Sequence, residues 1–107
     1  MPKRLLFLCS RNRLRSPTAE AIFSRQDIET DSAGLSPDAE VTLSPEQIEW
    51  ADLILVMERI HRTRLNRDYG PYLKGKKVVV LGIPDDFDIM DPELVKLLES
   101  KCSKYLL

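Results

Sequence analysis

Segments typical of strands alternate with segments typical of helices along this chain. The predicted strands are short and cover residues 3–9, 28–33, 53–57 and 77–81. Connections of this length carry a helix between successive strands, which is the arrangement of a parallel sheet with right-handed crossovers and helices on both faces. No internal repeat or linker-like run interrupts the pattern, so we expect one α/β domain over residues 1–107.

Three of the four predicted helices begin at a proline that follows a serine or an aspartate. These pairs are Ser16-Pro17, Ser44-Pro45 and Asp91-Pro92. Each combines a side chain that caps a helix with a residue whose missing donor is not needed in the first turn. The remaining helix is basic and extends from Glu58 to about residue 66, and we expect its His61 to be exposed.

The composition is that of an ordinary globular protein. Hydrophobic residues make up 43% and charged residues 31% of the chain, which argues against a disordered, collagen-like or membrane protein. The longest apolar runs have five residues and are too short to cross a bilayer or to form the core of a signal peptide. With two cysteines, Cys9 and Cys102, and no export signal, we expect a cytoplasmic protein with free thiols.

The net charge of −1 conceals long blocks of one sign. Residues 1–26 carry six Lys or Arg and one Glu, residues 27–58 carry nine acidic residues and no basic one, and residues 59–77 carry seven basic residues and one Asp. Such blocks are consistent with a basic binding site flanked by acidic surface, and also with solvated helix faces. For the acidic block we favour solvated faces, because its acidic residues are spread through turns and short elements. The basic surface is too small for a nucleic-acid binder, so no nucleic-acid partner is expected.

The segment between the first strand and the first helix has the composition of an anion-binding loop. It reads Cys9-Ser10-Arg11-Asn12-Arg13-Leu14-Arg15-Ser16. Ligands of open parallel sheets bind beyond the carboxyl ends of the strands. At such a place, successive amide groups and a helix N-terminus surround an anion with donors. The same field, together with the three arginines, favours the thiolate form of the cysteine.

These residue types suit phosphoryl transfer through a covalent intermediate. Arg15 follows Cys9 by six positions, so a loop that curves around its anion returns the guanidinium to the side of the sulfur. The planar fork of arginine matches two oxygens of a phosphoryl group. The predicted chemistry is attack of the thiolate on phosphorus, departure of the ester oxygen and hydrolysis of the phosphocysteine by water. The alternative is that Cys9 only packs as a small apolar residue.

Three separate segments resemble the low-molecular-weight protein tyrosine phosphatases. The first is Phe7-Leu8-Cys9 with Asn12 and Arg15-Ser16-Pro17-Thr18-Ala19-Glu20, the second is Asp31-Ser32-Ala33-Gly34, and the third is Ala51-Asp52-Leu53-Ile54-Leu55-Val56-Met57-Glu58. A cysteine and an arginine alone would be a weak signal, but this combination is specific. The resemblance implies a flavodoxin-like three-layer sandwich whose four-stranded parallel sheet has the order 2-1-3-4.

The same resemblance implies the roles of the loop residues. Cys9 is the implied nucleophile, and Asn12 and Ser16 support the loop. The implied phosphate-binding positions are Ser10, Arg11, Asn12, Arg13, Leu14 and Arg15. No metal or other cofactor is implied. The expected partner is a phosphotyrosine-bearing protein or a small phosphoester, and the loop is expected to bind phosphate or sulfate.

The family places its proton donor after the fourth strand, in an aspartate-proline-aromatic motif. The corresponding residues here are Asp85, Asp86 and Phe87, so Asp85 matches the acid and Asp86 stands where proline is usual. Asp86 remains the main rival, because two adjacent carboxylates repel each other and one holds its proton more readily. The literal Asp91-Pro92 pair is better explained as a helix cap.

The chain departs from the family pattern in the loop and in the substrate wall. Leu14 stands where many members have a second cysteine, so no neighbouring thiol is available to pair with an oxidised Cys9. Arg11 and Arg13 replace small or apolar residues, and they either contact a second anionic group of the substrate or pair with acids at the rim. Between Gly34 and Ser44 we expect a missing helix and a shallower cleft.

Other functions share parts of this pattern. A thiol-dependent arsenate reductase requires resolving cysteines after the fourth strand, and residues 79–90 contain none. A phosphocarrier of the sugar phosphotransferase type has a cysteine at the same strand end but does not ordinarily need an arginine such as Arg15. A phosphatase for a non-protein polyanionic phosphoester and a phosphoprotein-binding module without turnover both remain open.

Overall fold

The computed structural model describes residues 3–12, 15–25, 27–84 and 86–106, in which four strands alternate with four α-helices. The strands are β1 (Lys3–Cys9), β2 (Ile28–Gly34), β3 (Leu53–Val56) and β4 (Lys77–Val80). The helices are α1 (Arg15–Phe23), α2 (Pro45–Trp50), α3 (Arg59–Tyr69) and α4 (Pro92–Cys102), with short 3₁₀ helices at Gly70–Leu73 and Ser103–Tyr105.

The strands form one parallel sheet in the order β2-β1-β3-β4, so the predicted class and strand order are confirmed. Alternate residues of β1 point to opposite faces of the sheet. Phe7 packs with α1 and α4 on one face, whereas Leu8 packs with α2 and α3 on the other. Both layers are apolar, which explains why β1 is a continuous hydrophobic run rather than an alternating one.

Local signals place most helix ends. The Ser44 hydroxyl accepts a hydrogen bond from the Gln47 amide at 3.4 Å, and the Gln47 side chain accepts one from the Ser44 amide at 3.0 Å, which is the predicted capping box. The Asp91 carboxylate accepts a hydrogen bond from the Glu93 amide at 2.9 Å and begins α4 as predicted.

Two helices have bounds that differ from the sequence prediction. Helix α1 was expected to begin at Pro17 with Ser16 as its cap and to extend to about Arg25, but it begins at Arg15 and ends at Phe23. Ser16 is therefore a residue of the first turn rather than the cap, and its hydroxyl contacts the Cys9 sulfur and the Asn12 side chain instead. The helix ends early because Arg25 and Ile28 exchange two backbone hydrogen bonds that turn the chain back into β2. Helix α3 continues to Tyr69 instead of about residue 66, because the Gly70-Pro71 pair begins a 3₁₀ turn rather than breaking the helix earlier.

The carboxyl ends of β1 and β3 lie side by side in the middle of the sheet. The chain leaves β1 towards β2 on one side and later returns to β3 on the other, so these two strands border the topological switch point. The segments that follow them, from Cys9 onward and from Met57 onward, therefore meet at one edge of the sheet.

No helix forms between Gly34 and Ser44, in agreement with the sequence prediction, and a turn at 36–39 takes its place. None of the helices in the described part of the chain is long and apolar enough to cross a membrane.

Candidate active site

Cys9 ends β1 with its side chain almost fully buried, at 4% exposure. Its Sγ atom lies 2.9 Å from the Ser16 hydroxyl oxygen and 3.3 Å from the backbone nitrogen of Asn12, whose N–H points at the sulfur. An O–H and an N–H group thus converge on this atom, and both are able to donate to a thiolate. The alternative that Cys9 is only a packing residue does not account for two polar groups directed at its sulfur.

A chain of hydrogen bonds determines which way the Ser16 hydroxyl points. The Glu20 carboxylate accepts from the Ser32 hydroxyl, and the Asn12 side-chain amide donates to both Ser32 at 2.9 Å and Ser16 at 3.0 Å. Because the Asn12 nitrogen is only a donor, Ser16 accepts from it and has its own proton left for Cys9. The buried network therefore ends in a donor directed at the sulfur.

The backbone of the loop turns its amides inward. The carbonyls of Cys9, Ser10 and Arg11 accept hydrogen bonds from the amides of residues 35, 36 and 40 at 2.8–3.0 Å. In a trans peptide, the N–H group that follows a carbonyl points in the opposite direction. The amides of residues 10, 11 and 12 therefore face away from the turn at 36–39, and the last of them reaches the sulfur. The sequence predicts that these amides form part of a ring of donors around an anion.

Asn12 has a backbone conformation that few residue types adopt without strain. Its φ angle is +57°, in the left-handed region. Asparagine tolerates this region better than most residues do. The loop can therefore curve around the sulfur while the Asn12 side chain supports Ser16 and Ser32.

Arg15 lies at the first position of α1 and is 3% exposed. Its Nη1 atom donates to the Glu58 carboxylate at 2.5 Å and to the Ile83 carbonyl at 2.7 Å. These partners follow β3 and β4, so two segments at the carboxyl edge of the sheet hold the guanidinium. A guanidinium has five N–H donors in a planar fork, and the geometry of that fork matches two oxygens of an oxyanion.

No protein-family model and no curated protein sequence matches this chain, but its fold has counterparts among solved structures. The tyrosine phosphatase Wzb from Escherichia coli K30, solved with phosphate, is 22% identical over 99% of this chain and 97% of its own, with a TM-score of 0.79. A low-molecular-weight protein tyrosine phosphatase from T. tengcongensis is 24% identical over 94% of this chain and 93% of its own, with a TM-score of 0.70. This chain has the low-molecular-weight protein tyrosine phosphatase fold.

A third structure with this phosphatase fold carries a phosphoryl group on the protein. It is a cysteine-to-serine mutant of the YwlE arginine phosphatase with a phosphorylated active-site serine. It is 25% identical over 96% of this chain and 95% of its own, with a TM-score of 0.71. The family resemblance inferred from the sequence is thus confirmed over nearly the whole chain.

The phosphatase fold brings some of the predicted site residues together and leaves others outside the described residues. Cys9, Asn12, Arg15 and Ser16 form the contacts given above. Asp85, the predicted proton donor, lies outside the described residues, as do the predicted phosphate-binding positions Arg13 and Leu14. Arg11 is exposed at the rim, where its Nε atom lies 3.8 Å from the Asp38 carboxylate, so this arginine pairs with a rim acid.

The phosphatase fold also places in the site residues to which no role was assigned from the sequence. Glu58 contacts Arg15, while Ser32 and Glu20 continue the hydrogen bonds of Asn12. The expectation that His61 is exposed is wrong: it is 1% exposed and contacts the Ser10 hydroxyl. The available signal was positional, because Glu58 and His61 follow β3, the strand predicted to lie beside β1.

No group of three or more histidine, cysteine, aspartate or glutamate side chains is arranged to hold a metal ion among the described residues. Cys102, the other cysteine, packs in the apolar layer beneath α4. Burial raises the pKa of its thiol to about 12. Its predicted packing role agrees with this environment.

Proposed function

We propose that this chain is a cysteine-dependent phosphomonoester hydrolase of the low-molecular-weight protein tyrosine phosphatase type, with a phosphotyrosyl protein as its leading substrate. The observation that carries the proposal is the Cys9 sulfur, which is approached by the Asn12 amide and the Ser16 hydroxyl. A buried cysteine with only a packing role needs no such donors. The phosphate bound to Wzb and the phosphoserine of the YwlE mutant support the same chemistry for this fold.

In the first step, the phosphoryl group lies against the inward-facing amides of residues 10–12 and the Arg15 guanidinium. The Cys9 thiolate attacks phosphorus, so an S–P bond forms while the P–O bond to the leaving group breaks. Donors already aligned with the equatorial oxygens stabilise the charge that develops in the transition state. Glu58 and the Ile83 carbonyl keep the guanidinium oriented before the substrate arrives.

In the second step, water attacks the phosphocysteine, a P–O bond forms and the S–P bond breaks. The products are phosphate and the Cys9 thiolate, so the enzyme returns to its starting state. A carboxylic acid that protonates the leaving oxygen in the first step takes a proton from water in the second. We propose Asp85 for this role, with Asp86 as the rival.

The dependence of kcat/KM on leaving-group pKa, measured with a series of aryl phosphates, separates the two candidate acids. Replacing the true donor makes the dependence steeper, because poor leaving groups then depart without a proton. We expect Asp85→Asn to steepen the slope and Asp86→Asn to leave it unchanged. An unchanged slope in Asp85→Asn would remove this residue from the mechanism.

Turnover of an aryl phosphate tests the proposed activity itself. We expect the wild-type chain to hydrolyse the ester, Cys9→Ser to be inactive, and Cys102→Ala, the matched control at the other cysteine, to keep its activity. A short-lived phosphocysteine should be detected by mass spectrometry after rapid acid quenching. Turnover by Cys9→Ser at the wild-type rate would contradict the proposal. Binding of a phosphotyrosine peptide without turnover would identify a binding module instead.

A substrate panel then decides which phosphoester is natural. No helix forms between Gly34 and Ser44, and the shallower cleft expected from its absence would admit a phosphoryl group carried on a protein. We expect kcat/KM to be highest for phosphotyrosine peptides, compared with phosphoarginine peptides, nucleotides and sugar phosphates. A preference for a sugar phosphate or a nucleotide would support the alternative of a non-protein polyanionic substrate.

The proposed place of action is the cytoplasm, and no nucleic-acid partner is proposed. Both Cys9 and Cys102 are free and buried. A thiolate nucleophile requires a reducing compartment, because an oxidised sulfur cannot attack phosphorus. Cell fractionation with an antibody against the chain tests the location.

A further inference from the structure

The imidazole of His61 bridges the two parts of the site that approach the phosphoryl group. Its Nε2 atom lies 3.0 Å from the Ser10 hydroxyl oxygen, and its Nδ1 atom lies 3.0 Å from the backbone nitrogen of Glu58. The ring is 1% exposed. Ser10 directly follows Cys9, and Glu58 holds Arg15 through its carboxylate. One side chain thus contacts a neighbour of the nucleophile and the residue that orients the guanidinium.

The hydrogen bonds determine the tautomer of the neutral ring. The Glu58 amide is a donor, so Nδ1 accepts and carries no proton. Nε2 then carries the proton and donates to the Ser10 hydroxyl oxygen. The ring therefore connects the backbone at the start of α3 to the loop after β1 and holds the two in a defined relative orientation.

This contact holds Ser10 at a second point. The Ser10 carbonyl already accepts from the Ser36 amide at 2.8 Å, and the histidine now fixes its hydroxyl. A residue held by both its carbonyl and its side chain cannot rotate its peptide planes freely. The directions of the amides of residues 10 and 11, two of the inward-facing donors, depend on those planes.

We infer that His61 is a positioning residue for phosphoryl transfer, which keeps the loop amides and the Glu58–Arg15 pair in one arrangement. The inference rests on the proposed phosphatase function. It concerns a residue that touches neither the substrate nor the reacting atoms. Its effect on the reaction comes from alignment, to which transition states are more sensitive than ground states are.

His61 also has a purely structural role, because it lies at the third position of α3 and accepts from the amide of the capping residue. The variant His61→Gln separates the two roles. Glutamine at the third position accepts this hydrogen bond well, as Gln47 does at α2 of this same chain. It has no ring to bridge the same two groups, so the cap is kept and the contact to Ser10 is lost.

We expect His61→Gln to lower kcat for an aryl phosphate about ten- to a hundredfold, with KM changed less than about threefold. Ser10→Ala, which removes the other partner and keeps the backbone amide, should give a loss of similar size. The double variant should be no worse than either single one, because the two changes remove one contact. If the losses instead multiply in the double variant, the two residues act independently and the inference is wrong.

Gln47→Ala provides the matched control for a lost cap. It removes a capping-box side chain away from the site, so the free energy of unfolding should fall while kcat is unchanged. A purely structural role for His61 predicts the same pattern for His61→Ala and wild-type behaviour for His61→Gln. A wild-type kcat in His61→Gln would therefore overturn the inference.

Vanadate binding separates failure of this inference from failure of the proposed function. Vanadate adopts the geometry of the transition state, whereas inorganic phosphate resembles the ground state. Calorimetric titration should show weaker vanadate binding to His61→Gln than to the wild type, with similar phosphate binding. If the wild-type chain does not hydrolyse an aryl phosphate but still binds vanadate more tightly than His61→Gln does, the positioning role of His61 is supported and the proposed phosphatase activity is wrong. If vanadate affinity is equal in both proteins, the positioning role is excluded whether or not the chain is an enzyme.

Discussion

The Nη1 atom of Arg15 lies 2.5 Å from a carboxylate oxygen of Glu58, which follows it by 43 residues in the chain. The arginine is almost fully buried, whereas the glutamate side chain is 38% exposed. Sheet order creates this pair, because Arg15 follows β1 and Glu58 follows the adjacent β3. The guanidinium is consequently oriented before any substrate binds.

Glu58→Gln tests whether that orientation contributes to catalysis. Glutamine keeps the shape and still accepts a hydrogen bond, but it removes the charge that holds the guanidinium. We expect kcat/KM for an aryl phosphate to fall by about ten- to a hundredfold, equivalent to about 1.4–2.7 kcal/mol of transition-state stabilisation. Glu49→Gln, at an exposed position of α2, is the control and should behave as the wild type. Equal kcat/KM values in both variants would show that Arg15 needs no carboxylate to stay in place.

Asn12 combines a left-handed backbone with two side-chain hydrogen bonds, and two substitutions separate these contributions. Asn12→Ala loses the hydrogen bonds and strains the backbone, so we expect the free energy of unfolding to fall by about 2–4 kcal/mol. Asn12→Gly relieves the strain and should lose about 1 kcal/mol less. Urea unfolding measures both differences. Equal stability of the two variants would contradict a strained conformation at this position.

Both Asn12 variants should also lose activity, because the Ser16 hydroxyl is no longer directed at the sulfur. We expect kcat to fall by a similar factor in each, since neither alanine nor glycine replaces the amide. A glycine variant with the wild-type kcat would show that the Asn12 side chain supports the fold but not the reaction.

Of the four glycines, Gly34 is the one at which an added methyl group has the least room. A Cβ atom there would lie 2.5 Å from the Ala39 Cβ atom and 2.6 Å from the Ser10 carbonyl oxygen. Gly34→Ala must therefore push the turn at 36–39 away from the loop that carries Cys9. We expect a loss of about 1–3 kcal/mol in stability together with reduced kcat.

Gly70→Ala is the matched control for the glycine substitution. A Cβ atom at Gly70 meets nothing within 4 Å, and the φ angle of −45° suits alanine. Its melting temperature should be unchanged or slightly higher, because alanine restricts the unfolded chain by about 0.4–1 kcal/mol. If Gly34→Ala were as stable and active as Gly70→Ala, the close packing of the turn against the loop would be disproved.

The two cysteines should differ in reactivity. Burial raises the pKa of Cys102 to about 12, so near pH 8 only on the order of one part in ten thousand is thiolate. We expect iodoacetamide to modify the native chain at one cysteine, Cys9, and the unfolded chain at both cysteines. Mass spectrometry counts the labels added to each chain. Native Cys9→Ser should take up no label. Modification of Cys102 in that variant would show that α4 opens readily.

Local signals were sufficient for most of the fold. Strand β1 has the predicted bounds, and the caps at Ser44 and Asp91 lie at the predicted residues. Strand hydrophobicity and helix caps depend on residues a few positions apart, so they can be recognised from a single sequence. The cysteine and arginine of the loop are six positions apart and were predicted as a pair for the same reason.

Tertiary structure alone decided which side chains complete the site. Gly34 lies beside Cys9 and Val56 beside Leu8 in the sheet, and these registers bring the turn at 36–39, Glu58 and His61 to the loop. The basic helix suggested an exposed histidine, yet His61 is buried beside the loop that follows β1. Contacts between residues 43 or 51 positions apart leave no periodic trace in the sequence. The chain thus encodes its nucleophile and arginine locally, whereas the groups that orient them depend on how the strands pair.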